Sequence, residues 1–239
     1  MRLDKFIASN GAFSRREASD AIRRGRVAVN GEPIRKPETP VDPDTDRISV
    51  DGEPFVFSRN VYYMLNKPSG YISSTEKGNT VISLLGEDGR RPGLFPCGRL
   101  DIDTEGLLLI TDDGPLAHLL LSPRRHVEKE YFFICSPALT DGGIEMIGSG
   151  VDLGDFIAKP AKIASSRDRL SGTVTVTEGK FHQVKRMLSR AGSEVRYLKR
   201  IRFGPLTLDP DLAPGEFRPL TKDEISALMS AAEKEGKTL

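Results

Sequence analysis

Short apolar runs bounded by turn residues make up much of this 239-residue chain, and only a few stretches carry helical periodicity. The run at 107–110, Leu-Leu-Leu-Ile, follows Gly106 and precedes a turn at 111–114, so it predicts a buried strand. Further β runs lie at 61–67, 131–136, 172–179 and 195–204, and helical stretches at 115–121, 141–148 and 184–191. Strand-rich segments with scattered helices predict an α+β domain built on a mostly antiparallel sheet.

The first fifty or so residues predict a separate small unit. A short helix within 3–10 is followed by a second helix that opens at Ser14, where Glu17 completes a capping box. Two β runs about the turn Asn30-Gly31 and a further strand near 47–50 follow.

The domain boundary falls in the stretch between 37 and 60, which is rich in Pro, Asp and turn residues, so we divide the chain into domains 1–57 and 58–239. At the other end, a second capping box at 221–224 predicts a terminal helix over 221–235.

Basic residues concentrate in two segments, although the formal net charge is only +1. Residues 1–36 carry nine Lys or Arg against four acids, and residues 180–202 carry eight against one. Two such patches on a near-neutral chain predict a polyanionic partner. The alternative, a merely solvated helix face, is the commoner reason for a run of charges. The candidate contacts to such a partner in the first segment are Arg2, Lys5, Arg15, Arg16, Arg23, Arg24 and Arg26.

The sequence disfavours a membrane protein, a disulfide-bonded protein and a zinc-binding protein. No apolar stretch approaches the roughly eighteen residues of a membrane span, and the N-terminus lacks the apolar core of a signal peptide, so we expect a cytoplasmic protein. Cys97 and Cys135 have neither CxxC spacing nor a neighbouring His cluster. Both are expected to be small buried residues, and no metal site is expected.

The segment 98–114, GRLDIDTEGLLLITDDG, leads a loop rich in acids and glycine into the strand at 107–110. Asp101 lies in this loop, and Arg99 shares its face if the backbone there is extended. A guanidinium at that position would keep the carboxylate ionised. The alternative interpretation is an aspartate that caps its own turn.

This segment resembles the catalytic motif of the bacterial ribosomal RNA pseudouridine synthases, in the branch that includes the small-subunit (16S) rRNA uridine synthase. Further similar motifs follow the same order along the chain: MRLDKFIA from Met1, NKPSGYISST from Asn66, SPRRHVEKEY from Ser122, EGKFHQVKRML from Glu178 and DLAPGEFRPLT from Asp211. The resemblance implies an isomerase that flips a uridine out of rRNA, most closely 16S rRNA, and converts it to pseudouridine. We expect a monomer that needs no cofactor. The N-terminal unit resembles the alpha-L RNA-binding module of a ribosomal protein.

The resemblance also assigns roles to residues. The family's essential aspartate falls on Asp101 and its active-site tyrosine on Tyr131. Lys185 is our choice for the cation paired with Asp101, with Lys180 as the competitor, and Arg99 would fill the gap left by the flipped base or hold a flanking phosphate. Expected RNA contacts in this domain are Lys67, Lys129, Lys180, His182, Gln183 and Arg186, of which Lys67 and Lys129 fit plain surface lysines equally well.

Other functions stay open at this point. A non-catalytic RNA-binding or ribosome-assembly factor would share both basic patches, and a synthase for a large-subunit (23S) rRNA uridine would share the motif around Asp101. A Cys/His nucleophile using His182 is disfavoured because no local Cys/His signature exists. A hydrolase using Asp101 and Asp103 as paired carboxylates is disfavoured by the adjacent basic residues.

Overall fold

The computed structural model describes residues 1–8, 13–43, 45–55, 60–76, 78–86, 89 and 91–233. The chain divides into two compact units, Met1–Val61 with Gly86–Gly93 and Tyr62–Leu85 with Leu94–Leu239. The boundary predicted between 57 and 58 lies outside the described residues, and residues 86–93 group with the first unit. No helix in the described ranges is long and apolar enough to cross a membrane.

Where the structure describes it, the first unit consists of two helices and a four-stranded antiparallel sheet in the order β2-β1-β3-β4. Its elements are α1 Leu3–Ala8, α2 Arg15–Arg23, β1 Val27–Val29, β2 Glu32–Ile34, β3 Ile48–Val50 and β4 Glu53–Phe55. Phe6, Ile7 and Ile22 from the helices pack with Val27 and Ile48 from the sheet in its core. The predicted helix within 3–10 is therefore present as α1, and positions 9 and 10 lie outside the described residues.

Local sequence signals set the helix start and the two hairpins of this unit. Ser14 Oγ accepts a hydrogen bond from the Glu17 N–H at 3.2 Å, and Glu17 Oε2 accepts one from the Ser14 N–H at 2.7 Å. This confirms the predicted capping box. The hairpin loops 30–31 and 51–52 both have positive φ, from 54° to 88°, as a two-residue turn between twisted strands requires.

The described residues of the second unit form a nine-stranded sheet and four helices. Seven strands run in the order β11-β12-β8-β13-β7-β5-β15, while β14 pairs with β13 and β6 with β7. The strands are β5 Tyr62–Lys67, β6 Phe95–Cys97, β7 Glu105–Thr111, β8 Lys129–Ser136, β11 Lys162–Ser165, β12 Ser171–Val176, β13 Glu194–Phe203, β14 Leu206–Thr207 and β15 Phe217–Pro219, with β9 Val151–Asp152 and β10 Ile157–Ala158 forming a separate ribbon. The helices are α3 Gly114–Leu121, α4 Asp141–Ser149, α5 Gln183–Arg190 and α6 Lys222–Glu233, and a 3-10 turn spans Ser83–Leu85.

These elements confirm the α+β prediction. Each predicted strand and helix of this domain is present within a few residues of its expected bounds, and β7 is the buried strand expected at 107–110, whose four side chains are 0% exposed. The predicted capping box of α6 is also formed, with Thr221 and Glu224 exchanging hydrogen bonds of 2.7 and 3.2 Å. Positions 234 and 235 of the predicted helix lie outside the described residues.

β7 and β13 form the one parallel pairing in the described part of this sheet. They approach closely because Gly106 faces β13: a Cβ there would lie 2.2 Å from the carbonyl oxygen of Arg200. Gly106 also has φ +100°, a conformation that L side chains rarely adopt. Glycine at this position therefore lets the strand that follows the Asp101 loop pack against β13.

The main core lies where α3 and α6 pack against β6, β7 and β14. Leu107, Leu109 and Phe203 from the sheet meet Leu116 and Leu228 from the two helices. The two cysteines are free and buried, as expected. On another part of the sheet, α5 packs on β13, and α4 packs on β11 and α5. The second basic segment, 180–202, spans α5 and most of β13.

Candidate active site

The loop that carries Asp101 joins β6 to β7 and is anchored by a buried lysine. Lys67, at the end of β5, is 0% exposed. Its Nζ donates hydrogen bonds to the carbonyl oxygens of Pro68, Ile102 and Thr104 at 3.0, 3.1 and 2.8 Å. Burial lowers the pKa of Lys67 to about 8, although nearby carboxylates oppose the shift. The ammonium therefore fixes the backbone immediately after Asp101.

Further hydrogen bonds fix the same loop on both sides of Asp101. The buried Ser73 hydroxyl donates to the Leu100 carbonyl at 2.9 Å and accepts from the Leu100 N–H at 3.0 Å. The Gly70 N–H donates to the Ile102 carbonyl at 2.8 Å. A loop tied at these points holds its carboxylate in one place, which catalysis by a side chain requires.

Lys185 of α5 is the cation that faces Asp101. Its Nζ lies 3.2 Å from Asp101 Oδ2 and 2.5 Å from Asp103 Oδ1. Burial disfavours the ammonium, but the hydrogen bonds to Asp103 and Asp101 outweigh burial and raise the pKa of Lys185. The hydrogen bond from Lys185 also lowers the pKa of Asp103. The Nε2 atom of His182 lies 3.6 Å from Asp101 Oδ1.

A cleft opens above this pair. It brings together seven of the predicted site residues, including all four that were predicted to be catalytic. Those lining it are Arg99, Asp101, Tyr131, Lys180, His182, Gln183 and Lys185. Apolar walls come from Leu100, Val176 and Leu198, while most of the other lining residues are polar or charged.

Tyr131 reaches the cleft from β8. Its cross-strand neighbours are Val174 on β12 and Arg200 on β13. The residue is only 9% exposed. Because β8 lies between β12 and β13 in the sheet and Tyr131 is largely buried, the side chain presents a fixed surface to whatever enters the cleft.

Two residues predicted to contact RNA are buried in the structure. Lys67 and Lys129 were expected to be phosphate contacts or surface lysines, and both expectations are wrong because both residues are buried. Lys129 is 7% exposed, its Nζ donates to the Val127 carbonyl at 2.8 Å, and it lies 5.7 Å from the centroid of the Phe203 ring. Burial, and then the charge of Arg200, lower the pKa of Lys129 to about 8. Both ammonium groups serve the fold.

The basic segment at 180–202 divides between the cleft and structural roles. Gln183 is buried, and its Nε2 donates to Glu178 Oε2 at 3.1 Å. Lys180 is exposed at the cleft, with its Nζ 5.8 Å from the centroid of the Phe156 ring. Arg186 pairs with Asp155, outside the cleft lining.

The predicted basic residues of the first unit are all exposed to solvent. They are Arg2, Lys5, Arg15, Arg16, Arg23, Arg24 and Arg26. Four of them also contact carboxylates: Arg2 and Arg15 lie 2.9 and 3.6 Å from Asp4, Arg23 lies 3.5 Å from Asp20, and Arg26 pairs with Asp51. The arrangement leaves a cationic surface that a polyanion can reach.

Comparison with known families assigns both units. The family described as RNA pseudouridylate synthase matches residues 61–190, and the S4 domain matches residues 1–54. The chain belongs to the RNA pseudouridylate synthase family. Its activity is therefore that of an isomerase, and the cleft around Asp101 lies in the part of the chain that the synthase family matches.

Relatives of this pseudouridine synthase match almost its whole length. It is 44% identical to the uncharacterized RNA pseudouridine synthase YtzG of Bacillus subtilis, over 95% of this chain and 98% of the relative. It is 43% identical to ribosomal small subunit pseudouridine synthase A of Escherichia coli, over 96% of this chain and 100% of the relative. A solved structure described as a pseudouridylate synthase matches 95% of this chain and 99% of its own, with a TM-score of 0.66 and 36% identity.

Sequence reasoning missed two residues of the synthase site. Asp103, considered only as half of a carboxylate pair, shares Lys185 with Asp101. Glu178 lines the cleft and accepts hydrogen bonds from the Gln183 side chain and the Lys159 N–H at 3.1 and 3.0 Å. The sequence signal was available for Asp103, because it lies two positions after Asp101 in the same loop. Glu178 had no comparable signal.

Proposed function

We propose that this synthase converts a uridine of small-subunit (16S) ribosomal RNA to pseudouridine, with Asp101 as the essential carboxylate. The observation that carries the proposal is the Asp101 carboxylate, 3.2 Å from Lys185 Nζ, in a cleft that Tyr131 also lines. An ion pair at this distance orients the carboxylate for the reaction.

The reaction is an isomerisation of one nucleoside. The N1–C1′ bond of uridine breaks, the uracil ring turns, and a bond forms between C5 and C1′. The proton lost from C5 is balanced by the proton that N1 carries in the product. Substrate and product have the same atoms and oxidation state, so no redox partner is consumed. Asp101 starts the cleavage of the N1–C1′ bond.

Reaching C1′ requires the uridine to leave its stack. An enzyme that works on a base in folded RNA turns the nucleotide out and holds the base by stacking and edge hydrogen bonds, and unstacking costs about a few kcal/mol. We assign the stacking surface to Tyr131, whose ring lines the cleft, and the phenol or a neighbouring polar group to the base edge. Arg99, exposed at the cleft, holds a flanking phosphate or fills the vacated space.

The choice of small-subunit RNA rests on relatives. The Escherichia coli protein that is 43% identical over 100% of its length is named a ribosomal small subunit pseudouridine synthase. We assign RNA binding to the domain 1–57, which contains the S4 match at 1–54 and the exposed arginines, and catalysis to the domain 58–239. Guanidinium groups suit phosphate because they donate in pairs.

The test is pseudouridine mapping on ribosomal RNA. Wild type and Asp101→Asn are incubated with small-subunit RNA, large-subunit RNA and partly assembled small-subunit particles, and pseudouridine is read as reverse-transcription stops that depend on carbodiimide treatment. We expect one wild-type stop in small-subunit RNA or its particles and none with Asp101→Asn, while both proteins bind RNA equally.

Other outcomes contradict separate parts of the proposal. A stop confined to large-subunit RNA keeps the reaction and replaces the target. A stop that persists with Asp101→Asn removes Asp101 from its role. RNA binding without a stop on any of the RNAs or particles favours the assembly-factor alternative.

A further inference from the structure

An aromatic side chain beside the cleft is exposed to solvent. Phe181 is 73% exposed and lies between Lys180 and His182, two of the residues that line the cleft. Its ring stacks on the imidazole of His182, with ring centroids 3.8 Å apart and planes 15° from parallel. One face of the phenyl ring is therefore covered by His182, and the ring as a whole remains open to solvent.

The backbone under Phe181 is held in an unusual conformation. His182 has φ 47° and ψ 31°, in the left-handed region that non-glycine residues rarely adopt. Hydrogen bonds flank it: the Gln183 N–H donates to the Lys180 carbonyl at 3.2 Å, and the Lys180 N–H donates to Gln183 Oε1 at 3.1 Å. Arg186 Nη1 donates to the Phe181 carbonyl at 3.5 Å. The outward position of the ring is thus built into a braced turn. Strain of this kind clusters at functional sites.

The stack ends at the candidate catalytic group. His182 Nε2 lies 3.6 Å from Asp101 Oδ1, so the sequence of groups from solvent inward is phenyl ring, imidazole and carboxylate. Lys180 and Arg99, at the same cleft, supply the positive charge that a nucleic-acid backbone needs. An exposed Phe contributes little to the core, and this one is placed where a polynucleotide would enter.

We propose that the open face of Phe181 stacks on an unpaired base that flanks the target uridine. This inference rests on the proposed function, because it takes RNA as the substrate. When one nucleotide turns into the cleft, its neighbour loses a stacking partner, and an aromatic ring at the cleft entrance replaces that partner. Phe181 is then a binding residue that selects RNA with an unpaired flanking base, and His182 is the surface that holds it flat.

Affinity measurements on a series of Phe181 variants test the stacking. We compare wild type with Phe181→Ala, Phe181→Leu, Phe181→Tyr and Phe181→Trp for equilibrium binding to the RNA identified by mapping. Stacking on one base predicts about 10-fold weaker binding for Phe181→Ala. Phe181→Leu should lose as much, because it is apolar but has no flat π face, while Tyr and Trp should stay within about 3-fold of wild type, since both keep a stacking ring.

A matched control separates this effect from a general loss of surface. Met229 on α6 is 43% exposed and lies outside the cleft lining, so Met229→Ala should bind RNA as wild type does. Because Phe181 is mostly exposed, Phe181→Ala should keep the thermal midpoint of wild type. Wild-type affinity in Phe181→Leu would show that apolar surface alone is enough, and would overturn the stacking proposal.

Synthetic RNA identifies the base. An abasic ribose is placed on either side of the mapped uridine, and its effect is measured with wild type and with Phe181→Ala. At the stacked position the abasic sugar should weaken wild-type binding about 10-fold and leave Phe181→Ala unchanged, because the two changes remove one contact. Additive losses at both positions would overturn the proposal.

The same variants distinguish a failure of the proposed reaction from a failure of the stacking proposal. Binding of whole ribosomal RNA by the Phe181 series needs no turnover. A wild type that forms no pseudouridine, but whose affinity depends on an aromatic ring at 181, would refute the proposed reaction and support the stacking. If wild type forms pseudouridine and Phe181→Ala binds RNA with equal affinity, the proposed reaction is supported and the stacking proposal is overturned.

Discussion

Lys185 contacts two carboxylates, Asp101 and Asp103, and the two contacts differ in length and exposure. This difference suggests a different role for each carboxylate. Asp103, 64% exposed, makes the shorter contact with Nζ at 2.5 Å, and Asp101, 28% exposed, makes the longer one at 3.2 Å. The more exposed carboxylate holds the ammonium in place, and the less exposed one faces the cleft. We therefore interpret Asp103 as a positioning residue that acts through Lys185.

Lys185→Met should lower the single-turnover rate at saturating RNA by about 100-fold, the usual loss when a charged donor is removed from a catalytic site. Asp103→Asn should lower it much less, because the Lys185–Asp101 contact remains. The measurement is the rate of pseudouridine formation with enzyme in excess.

Lys180→Met is the matched control, since Lys180 is the other lysine of the cleft. It should weaken RNA binding with little change in the saturated rate. Equal losses of saturated rate in the Lys180 and Lys185 variants would contradict the assignment of Lys185 to Asp101.

Lys129 should make the free energy of unfolding depend on pH, and replacing Lys129 isolates its contribution. Its pKa is lowered to about 8 in the folded protein against 10.5 for an ordinary lysine, so between these values the unfolded state binds more protons. The free energy of unfolding should then rise with pH between about 8 and 10.5, at about 1.4 kcal/mol for each pH unit, and level off above that range. Below pH 8 both states are protonated and the contribution is constant.

Urea unfolding of wild type and Lys129→Met at pH 7, 8, 9 and 10 checks this prediction. Wild type should gain up to about 3 kcal/mol relative to the variant across the series, because Met cannot titrate. A difference between the two proteins that stays constant with pH would contradict a lowered pKa for Lys129.

At the scale of elements, the close pairing of β7 with β13 connects the Asp101 loop to the sheet. The pairing depends on Gly106. The two atoms nearest to a Cβ at that position would be the carbonyl oxygen and the amide nitrogen of Arg200. Because both are backbone atoms of β13, neither can move aside as the end of a side chain could. β7 begins at Glu105, directly after the loop, so any displacement of β7 moves the loop as well.

Gly106→Ala should lower the free energy of unfolding by about 3 kcal/mol or more, because it combines a positive φ with a 2.2 Å approach to the Arg200 carbonyl. The saturated rate should fall with it, since the Asp101 loop shifts. Gly114→Ala is the control: nothing lies within 4 Å of a Cβ at this helical position, so the change should stay within about 1 kcal/mol of wild type. Equal stability of the two variants in chemical denaturation would contradict this account of the pairing.

At the scale of the whole molecule, the exposed arginine surface at the N-terminus and the candidate active site lie in different units. The first unit presents exposed arginines around a small core, and the second carries the cleft with Asp101 and Lys185. This separation predicts that RNA affinity and the rate of the chemical step can be changed independently.

Replacing Arg16 and Arg24 together by Gln in the full chain should weaken RNA binding and leave the saturated rate unchanged. Each lost phosphate contact reduces the slope of log affinity against log salt by about 0.7 to 1, so the double variant should lose about 1.5 to 2. The check is binding measured from 50 to 300 mM salt. A wild-type slope in the double variant would remove these two arginines from the RNA interface.

Most of the fold could be predicted because its signals are local. The capping boxes at 14–17 and 221–224 and the two-residue hairpin turns at 30–31 and 51–52 each involve partners within three residues along the chain. The strand at 107–110 is apolar throughout, so its burial could be predicted from composition alone. Such interactions form in the same way wherever the segment lies in the molecule.

The site could be predicted only in part. Motif resemblance pointed to Asp101, Tyr131 and Lys185, which all line one cleft, but it left open whether Lys185 or Lys180 faces Asp101. The fold places Lys185 there, because α5 packs on β13 and β13 pairs with β7, which follows the Asp101 loop.

The local sequence therefore determined the elements, their ends and the residue types near the cleft, whereas burial and charge partners depended on the assembled sheet. Lys67 looked like a surface cation and became the fully buried anchor of a loop 35 to 37 residues away. Lys185 meets Asp103 across 82 residues of chain. The physical reason is range: a hydrogen bond within one turn is encoded by its neighbours, but the environment of a lysine is set by whichever strands and helices pack around it.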